Sequence, residues 1–388
     1  MTKTILSVGA GYPQEEFSDA IKARGYNLIS IGKGKNSEHV ISLSDQFAEV
    51  DTHSYEDVDK WINENRIHFD AVGSLAGGGA ILTLQKINQK YGLPTQIPSD
   101  LMVGMDKFSQ AALYEKYNLT SIKSWTVSEL KEVPDDIDEF VVKPSVGRGS
   151  VGVEFISRKE LVEKISQHSI PEDYIIQVFR KGIEYRMMSI VQNSQVKLLA
   201  PIKRDSYKET TFLGRLSCAT DDLQRLQDYS INMVKAMGIK NSVIKYDVLV
   251  SEHHIDMIEM DISVGGGIYF QKYISMLFEC DIINRYIDLI IDVPIESEYI
   301  KNHDYVMDYV YNETGNPLAF NLDSLESWLN KKINGNYSII INRLRAWETG
   351  KFSSNADFVC AIVHNDKSIK KSELSQMVNK DLFVKWSL

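Results

Sequence analysis

The sequence has few cysteines, and they lie far apart. Cys218, Cys280 and Cys360 are the only three in 388 residues, and none belongs to a CxxC pair. Structural zinc sites and disulfide frameworks in small domains both rely on characteristic cysteine spacings. We therefore expect neither, and interpret the three thiols as small buried side chains.

The chain also lacks a long apolar run and an excess of basic residues. No stretch approaches the roughly 20 apolar residues of a membrane-spanning helix, and the sequence opens on an apolar strand-like segment without a basic leader. The formal net charge is -10, which disfavours broad contact with a nucleic-acid backbone. These absences predict a cytoplasmic protein that binds neither membranes nor nucleic acid.

The first hundred residues alternate between apolar strand-like runs and helical segments. Such runs at 4–8, 26–31 and 71–75 all end at or near glycines, and this alternation predicts a parallel sheet. The turn Gly9-Ala10-Gly11 suggests a dinucleotide site, but Gln14 occupies the position of the third glycine in GxGxxG. We expect a glycine turn that packs closely or lines a substrate cleft.

After residue 100 the pattern changes. We predict a helix that begins near Ser99 and carries Lys107, then a lobe of strands and one helix, then a long helix over 221–237. Residues 291–388 are less patterned and could complete a lobe, cover a site or form dimer contacts. Strand candidates within them lie at 338–341 and 358–363.

The segment VVKPSVGRGSVGV places Lys143 at the end of a strand, directly before a glycine-rich loop. Glycines allow backbone N–H groups to approach an anion, and a lysine pairs with phosphate oxygens. Neither the Walker A pattern nor the spacing of the kinase loop is present. The segment therefore suggests a phosphate clamp, with a purely structural hairpin as the alternative.

A second segment, IIQVFRKGIEY, ends an apolar strand with a polar residue and a later carboxylate. Backbone groups near Gln177, Val178 and Phe179 could contact a purine edge, and Glu184 could accept hydrogen bonds from ribose hydroxyls. Ordinary strand chemistry is the alternative for each residue taken alone.

Three acids follow on two further strands. Glu259 and Asp261 lie two positions apart, so both side chains leave the same face of a strand, and Asp247 ends the strand before. Clustered carboxylate oxygens are the ligands that a hard divalent cation prefers. We interpret His253 and His254, between these strands, as turn residues.

Four segments in order resemble the motifs of the ATP-grasp superfamily of carboxylate–amine ligases, which includes amino-acid ligases. The resemblance runs from residue 1 to about 290. It implies a Rossmann-like pre-ATP-grasp domain at 1–100, an ATP-grasp domain at 101–290 with a lid lobe at about 125–185, and a C-terminal α+β lobe at 291–388. The four segments are MDKFSQAALYEKYNL, VVKPSVGRGSVGV, QVFRKGIEY and DVLVSEHHIDMIEMD.

The resemblance also implies ligands, ATP and Mg²⁺, and a role for each matching residue. Two lysines would contact ATP phosphates, a loop would close over them, a hinge would hold the adenine, and three acids would serve the metal. The lysines are Lys107 and Lys143, and the loop consists of Gly147, Arg148, Gly149 and Ser150. The hinge consists of Gln177, Val178 and Phe179, with Glu184 on the ribose. The three acids are Asp247, Glu259 and Asp261.

The sequence departs from the family pattern at three site positions. Gln177 replaces a common glutamate, Asp261 a frequent asparagine, and Ser263 an arginine that holds the substrate carboxylate or acyl phosphate. Another cation must then take over that task. The candidates are Arg186, Lys203, Arg204 and Arg215; we favour Arg215, with Lys203 as a second catalytic residue.

The resemblance implies a ligase that activates a carboxylate with ATP and joins it to an amine, with amino acids or sugar derivatives as substrates. A homodimer is compatible with the sequence. Two alternatives stay open. One is a bicarbonate-activating enzyme, and the other is a non-catalytic nucleotide-binding protein, which the substitutions at Gln177, Asp261 and Ser263 would suit.

Overall fold

The computed structural model describes residues 2–103, 106–130, 133–147, 151–208, 210, 212–219, 221–264, 268–342, 357–371 and 373–387. These residues form three β-sheets with helices packed around them. None of the helices in these ranges is both long and apolar enough to cross a bilayer.

The N-terminal sheet has four parallel strands in the order β3-β2-β1-β4. Its central strands are buried on both faces, which explains their β-branched apolar composition. The predicted parallel sheet is therefore confirmed. The strands are β1 Thr4–Val8, β2 Asn27–Gly32, β3 Gln46–Glu49 and β4 Ala71–Gly73, and the helices are α1 Glu15–Ala23, α2 Glu38–Leu43, α3 Tyr55–Glu64 and α4 Gly79–Lys90.

One helix boundary was predicted wrongly. A short 3₁₀ turn spans Ser99–Leu101, and the following helix, α5, is a separate element at Lys107–Lys116. Asp106 is its N-cap, since the carboxylate accepts a hydrogen bond from the Ser109 N–H at 2.8 Å. Lys107 thus occupies the first position of a helix rather than its middle.

A second sheet, the lid sheet, has the antiparallel order β5-β8-β6-β7 and its own small core around Phe140 and Leu161. Helix α6 covers it and begins with a reciprocal capping box between Ser157 and Glu160. The elements are β5 Ser124–Thr126, β6 Glu139–Pro144, β7 Glu154–Ser157, β8 Tyr174–Val178 and α6 Arg158–Ser166.

The third sheet, the large sheet, has eight antiparallel strands in the order β13-β12-β9-β10-β11-β14-β16-β15. Both strands predicted after residue 291 exist, as β15 and β16, and β14 joins them to β11. The strands are β9 Ile183–Gln192, β10 Gln195–Ser206, β11 Leu213–Cys218, β12 Ser242–Val250, β13 Ile255–Asp261, β14 Val306–Tyr311, β15 Tyr337–Ile341 and β16 Phe358–His364.

The helices after the lid sheet cover the large sheet. The predicted long helix is present as α7, and α9 is buried on nearly all sides between the large sheet and the N-terminal sheet. They are α7 Leu223–Ala236, α8 Ile268–Phe278, α9 Ile282–Ile290, α10 Leu322–Lys332, α11 Glu373–Val378 and α12 Val384–Trp386.

Strand alternation decides which side chains of the large sheet are available for chemistry. In β12, Ile244, Tyr246 and Val248 pack into one apolar core, so Lys245 and Asp247 leave the opposite face. The register pairs Asp247 with Glu259 and Lys245 with Asp261, which puts all four charged residues on that face.

The core around α9 should dominate the attachment of the N-terminal sheet. Ile287 is fully buried there, so Ile287→Ala should lower the free energy of unfolding by about 2–5 kcal/mol through lost burial and a cavity. Urea unfolding followed by circular dichroism measures the loss. Ile231→Ala is the matched control, because Ile231 is also helical but 47% exposed; equal losses in both variants would contradict this packing.

Candidate active site

A cavity of approximately 990 Å³ is lined by residues of both the lid sheet and the large sheet. Its volume lies within the range of roughly 300–1,000 Å³ that is typical of small-molecule sites. Of the described residues that line it, seven are basic and five acidic, a net charge of +2, whereas the chain as a whole carries -10. The cavity is therefore suited to an anionic ligand.

Lys143, at the end of β6, supplies the most unusual charge in the cavity. Its side chain is 8% exposed, and among the described residues it has no hydrogen-bond or ion-pair partner. Burial and the nearby Lys107 ammonium lower the pKa of Lys143 to about 8, opposed by the charges of Glu259 and Glu184. An ordered protein does not usually bury an unpaired ammonium, so this group is prepared for an anion that binds from outside.

Lys107 lies beside Lys143 at the start of α5. Its ammonium donates to the Gly147 carbonyl at 3.0 Å, and its backbone N–H donates to the Ser145 carbonyl at 2.9 Å. Burial lowers the pKa of Lys107, although the charges of Glu259, Asp106 and Asp261 oppose the shift. These contacts fasten the N-terminus of α5, the positive end of its dipole, to the start of the glycine-rich loop.

Part of the glycine-rich loop lies outside the described residues. Arg148, Gly149 and Ser150 lie outside the described residues, as do Gly265, Gly266 and Gly267. Gly147 lines the cavity, so the loop leaves β6 at the cavity wall. Its predicted closure over phosphates stays a prediction.

Two of the predicted ligand-binding acids are already paired with arginines. Asp247 accepts two hydrogen bonds from the Arg186 guanidinium, at 3.0 and 2.9 Å, and although burial opposes the shift, Arg186 lowers the pKa of Asp247 to about 2. Glu184 accepts a hydrogen bond from Arg204, whose guanidinium also lies 3.9 Å from Asp247. Arg186 and Arg204 are therefore committed to these acids.

Glu259 and Asp261 leave the same face of β13 but differ in their partners. Asp261 accepts a hydrogen bond from Lys245 at 3.0 Å, and it lines a separate small pocket instead of the main cavity. Among the described residues that line the main cavity, Glu259 is the one acid without an ion-pair partner. It is the carboxylate most available to a cation.

This donor set fits a magnesium ion that is held largely by its ligand. No group of three or more His, Cys, Asp and Glu side chains with suitable spacing occurs within the described ranges. Mg²⁺ usually keeps several waters and is bound by one or two carboxylates together with phosphate oxygens. Glu259 can supply one such carboxylate, whereas Asp261 or Asp247 would first have to give up Lys245 or Arg186.

One side of the cavity is apolar. Phe155 and Phe179 make an edge-to-face contact with ring centroids 5.5 Å apart, and Ile183 and Leu249 line the cavity with them. Phe155 is 57% exposed, so its ring is open to contact with a ligand in the cavity. Phe155 was not predictable from the sequence, because it sits in a short strand without a motif.

Two backbone N–H groups of the predicted adenine hinge already donate hydrogen bonds within the protein. The Val178 N–H donates to the Lys123 carbonyl at 3.1 Å, and the Phe179 N–H donates to the Glu139 carbonyl at 3.0 Å. Gln177 donates from its side-chain amide to the Ser124 hydroxyl at 2.7 Å. A purine edge would therefore have to use backbone groups after Phe179 or the carbonyls of the strand.

The two predicted catalytic cations lie in different environments. Lys203 lines the cavity and has no partner among the described residues. Arg215 does not line it; its guanidinium donates twice to Asp308, at 2.7 Å each, and once to the Ile369 carbonyl at 3.0 Å. The structure thus brings Lys203, but not the favoured Arg215, to the cavity.

A residue from the C-terminal part also reaches the cavity. Lys371 lines it and lies 3.5 Å from the Asp205 carboxylate. Asp205 and Lys371 were missed by the sequence analysis, because no motif surrounds either residue. The pairing of β14 with β11 places the C-terminal part of the chain beside this end of the large sheet.

The structure has the ATP-grasp fold. A parallel N-terminal sheet is followed by the small antiparallel lid sheet and the large antiparallel sheet, and the charged cavity lies between these last two. The fold predicted from the four sequence segments is confirmed. No protein-family model matches the sequence, and no curated protein sequence does either.

Solved structures share this fold over the full length of the chain. An L-amino acid ligase from Bacillus licheniformis is 14% identical, with a TM-score of 0.73 and coverage of 98% of this chain and 97% of that one. A phosphoribosylglycinamide synthetase from Anaerococcus prevotii is 15% identical, with a TM-score of 0.71 and coverage of 99% and 98%. An N5-carboxyaminoimidazole synthase from Aspergillus clavatus, solved with ADP and 5-aminoimidazole ribonucleotide, is 12% identical, with a TM-score of 0.68 and coverage of 99% and 98%.

The buried charge of Lys143 predicts a pH-dependent stability. Below pH 8 the ammonium is charged in both the folded and the unfolded chain, and its burial opposes folding in full. As the pH rises from 8 to 10.5, the folded protein has lost a proton that the unfolded chain still holds, so stability increases by up to about 3 kcal/mol. Without ligand, Lys143→Met should therefore be more stable than wild type near neutral pH and lose that advantage near about pH 10.

Thermal unfolding of both proteins across this pH range measures the effect. Lys159→Met is the matched control, since Lys159 is an exposed lysine of the same lobe, and it should follow wild type at every pH. A Lys143→Met protein that is less stable than wild type at neutral pH would show that Lys143 has a structural partner.

Proposed function

We propose that this protein is an ATP- and magnesium-dependent carboxylate–amine ligase that forms an amide or peptide-like bond. The observation that carries the proposal is the convergence of Lys107, Lys143 and Glu259 on one cavity. Two ammonium groups without acid partners and one unpaired carboxylate are the charges that a triphosphate and its cation require. The shared fold with structures of known ligases supports the same function.

In the proposed reaction, a carboxylate oxygen of the acid substrate attacks the γ-phosphorus of ATP. The bond to the β,γ-bridging oxygen breaks, and the products of this step are ADP and an acyl phosphate. The amine then attacks the acyl carbon and loses a proton, the amide forms, and phosphate leaves. Lys143 and Lys107 would hold the phosphate oxygens, so the chain contributes positioning and charge more than acid–base chemistry.

Magnesium, when bound, would neutralise the charge that develops on the transferred group. Glu259 would hold it. Asp261 would become a second metal ligand if its ion pair with Lys245 broke. Asp247 would not contact the metal and would instead hold the Arg186 guanidinium in place. This division of roles is our proposal for the acids of β12 and β13.

The apolar side of the cavity suits the base of the nucleotide. Phe179, Phe155 and Leu249 offer surfaces for a purine ring, and the backbone after Phe179 would read its edge. Glu184 would accept hydrogen bonds from ribose hydroxyls with its second carboxylate oxygen, while Arg204 holds the first. The ADP found in structures with the same fold supports this assignment.

A non-catalytic nucleotide-binding protein is the second candidate. The ion pairs of Asp261 with Lys245 and of Asp247 with Arg186 favour it, because of the three predicted metal-binding acids they leave Glu259 alone free for the cation. This candidate predicts binding of magnesium-ATP without turnover.

The first test is binding. Magnesium-ATP at a hundred times its dissociation constant should raise the free energy of unfolding by about 2.7 kcal/mol, and Lys143→Ala should remove most of this increase because an ammonium that contacts phosphate is lost. Calorimetric titration and thermal unfolding measure both effects. If magnesium-ATP leaves the melting temperature unchanged, neither candidate function survives.

The second test is turnover. Pairs of amino acids or sugar acids with amines should release phosphate from ATP, and Glu259→Ala should reduce the rate by at least about a hundredfold through the loss of a metal ligand. Glu252→Ala is the matched control, since Glu252 lies on the same β12–β13 hairpin with a side chain 88% exposed. Normal release by Glu259→Ala would refute the assignment, and binding without release by wild type would favour the non-catalytic candidate.

A further inference from the structure

The cavity has a second polar wall that the nucleotide assignment does not use. It consists of Lys203, Asp205, Ser206 and Thr210, from the end of β10 and the turn after it, and of Lys371 from the C-terminal part. We call this set the Lys371 wall. It is built from a different part of the chain than the two lysines and the carboxylate assigned to the triphosphate and its cation.

Two ammonium groups of the Lys371 wall are available to a ligand. Lys203 has no hydrogen-bond or ion-pair partner among the described residues. Lys371 lies 3.5 Å from Asp205, and the two side chains are 43% and 25% exposed. Ion pairs with this exposure contribute little, about 0–1 kcal/mol, so the Lys371 ammonium can accept a second anion.

Three arginines of the large sheet are not available in this way. Arg186 and Arg204 are held by Asp247 and Glu184. Arg215 is held by Asp308, which is 1% exposed. The lysines of the Lys371 wall are therefore better placed than these arginines to replace the arginine expected at Ser263.

A buried polar network fixes the backbone that carries Lys371. Arg215 donates to the carbonyls of Ile369 and Lys370 at 3.0 and 3.3 Å. Asp308 accepts from Arg215 and also from the Nε2 of His364 at 3.0 Å. The Asp366 N–H donates to the Nδ1 of His364 at 3.2 Å, so the ring proton must lie on Nε2.

This network ties β11, β14 and β16 to the segment that ends at Lys371. Satisfied buried networks of this kind hold one conformation, because each alternative leaves a buried polar group without a partner. Arg215 touches two carbonyls directly before Lys371, although it does not reach the cavity itself. Arg215 therefore holds in place the backbone that carries Lys371 and does not itself contact a ligand in the cavity.

We propose that Lys203 and Lys371 bind the carboxylate of the acid substrate, and that Arg215, through Asp308 and the carbonyls of Ile369 and Lys370, positions Lys371 for this contact. The proposal rests on the proposed ligase function and names its acid-binding subsite. It also gives the C-terminal part a direct share in substrate binding.

The test uses the full-length protein saturated with ADP and a set of simple acids as probes. Acetate, malonate and succinate are titrated by calorimetry, each beside its uncharged amide. At least one acid should bind, and its amide should not. Lys371→Met should weaken that binding by about tenfold or more, since a charge-assisted contact is lost, while the dissociation constant of ADP stays within about twofold.

Two variants separate charge from structure. Lys371→Arg keeps the positive charge and should retain acid binding within about threefold. Lys367→Met removes a lysine of the same segment that is 74% exposed, and it should bind the acids like wild type. Equal binding by Lys371→Met and Lys367→Met would overturn the subsite.

The positioning role of Arg215 needs a variant that folds. Arg215→Gln alone leaves the buried Asp308 charge without its partner, so Arg215→Gln combined with Asp308→Asn is measured beside it. The double variant should lose acid binding about as Lys371→Met does and keep ADP binding. Acid binding equal to wild type in the double variant would overturn the positioning role.

The outcomes also separate this proposal from the proposed function. If ADP and magnesium-ATP bind but none of the acids does, or if Lys371→Met binds them normally, the Lys371 wall is not the acid-binding subsite and the nucleotide site stands. If no nucleotide binds, the proposed function fails and this proposal fails with it.

Discussion

The buried ammonium of Lys143 is the constraint on which the site depends. A folded chain gains nothing from an unpaired charge at that depth, and the cost appears as a pKa lowered to about 8. The stability that holds Lys143 in this position must therefore come from other parts of the structure. The small core of the lid sheet, the capped helix α5 and the long strands of the large sheet provide it, so that Lys143, Lys107 and Glu259 remain close without neutralising one another.

Period-two alternation made much of this arrangement predictable. The strands of the N-terminal sheet, the lysine at the end of β6 and the shared face of Glu259 and Asp261 all follow from local patterns. The four ordered segments added the ATP-grasp fold. The start of α5 was not predictable in this way, because its N-cap Asp106 stands within a pattern that reads as one continuous helix.

Pairing across the sheet was not predictable from single segments. Arg186 forms an ion pair with Asp247, which lies 61 residues further along the sequence. Lys245 forms an ion pair with Asp261 because of the particular register in which β12 and β13 pair. These pairs decide which acids are free, and they leave Glu259 as the candidate ligand instead of all three. The pairing of Arg215 with Asp308 was not predictable for the same reason, because Asp308 lies in the part of the chain that carried no recognisable motif.

The continuity of the large sheet across β11 and β14 limits how the chain can be divided. A truncation after residue 290 would remove β14, β15 and β16 and leave β11 with a row of unpaired backbone donors and acceptors. Apolar side chains such as Leu216 and Tyr207, now buried, would lose part of their cover. Such a fragment would tend to self-associate through its new edge, so residues 1–290 do not form a separable module.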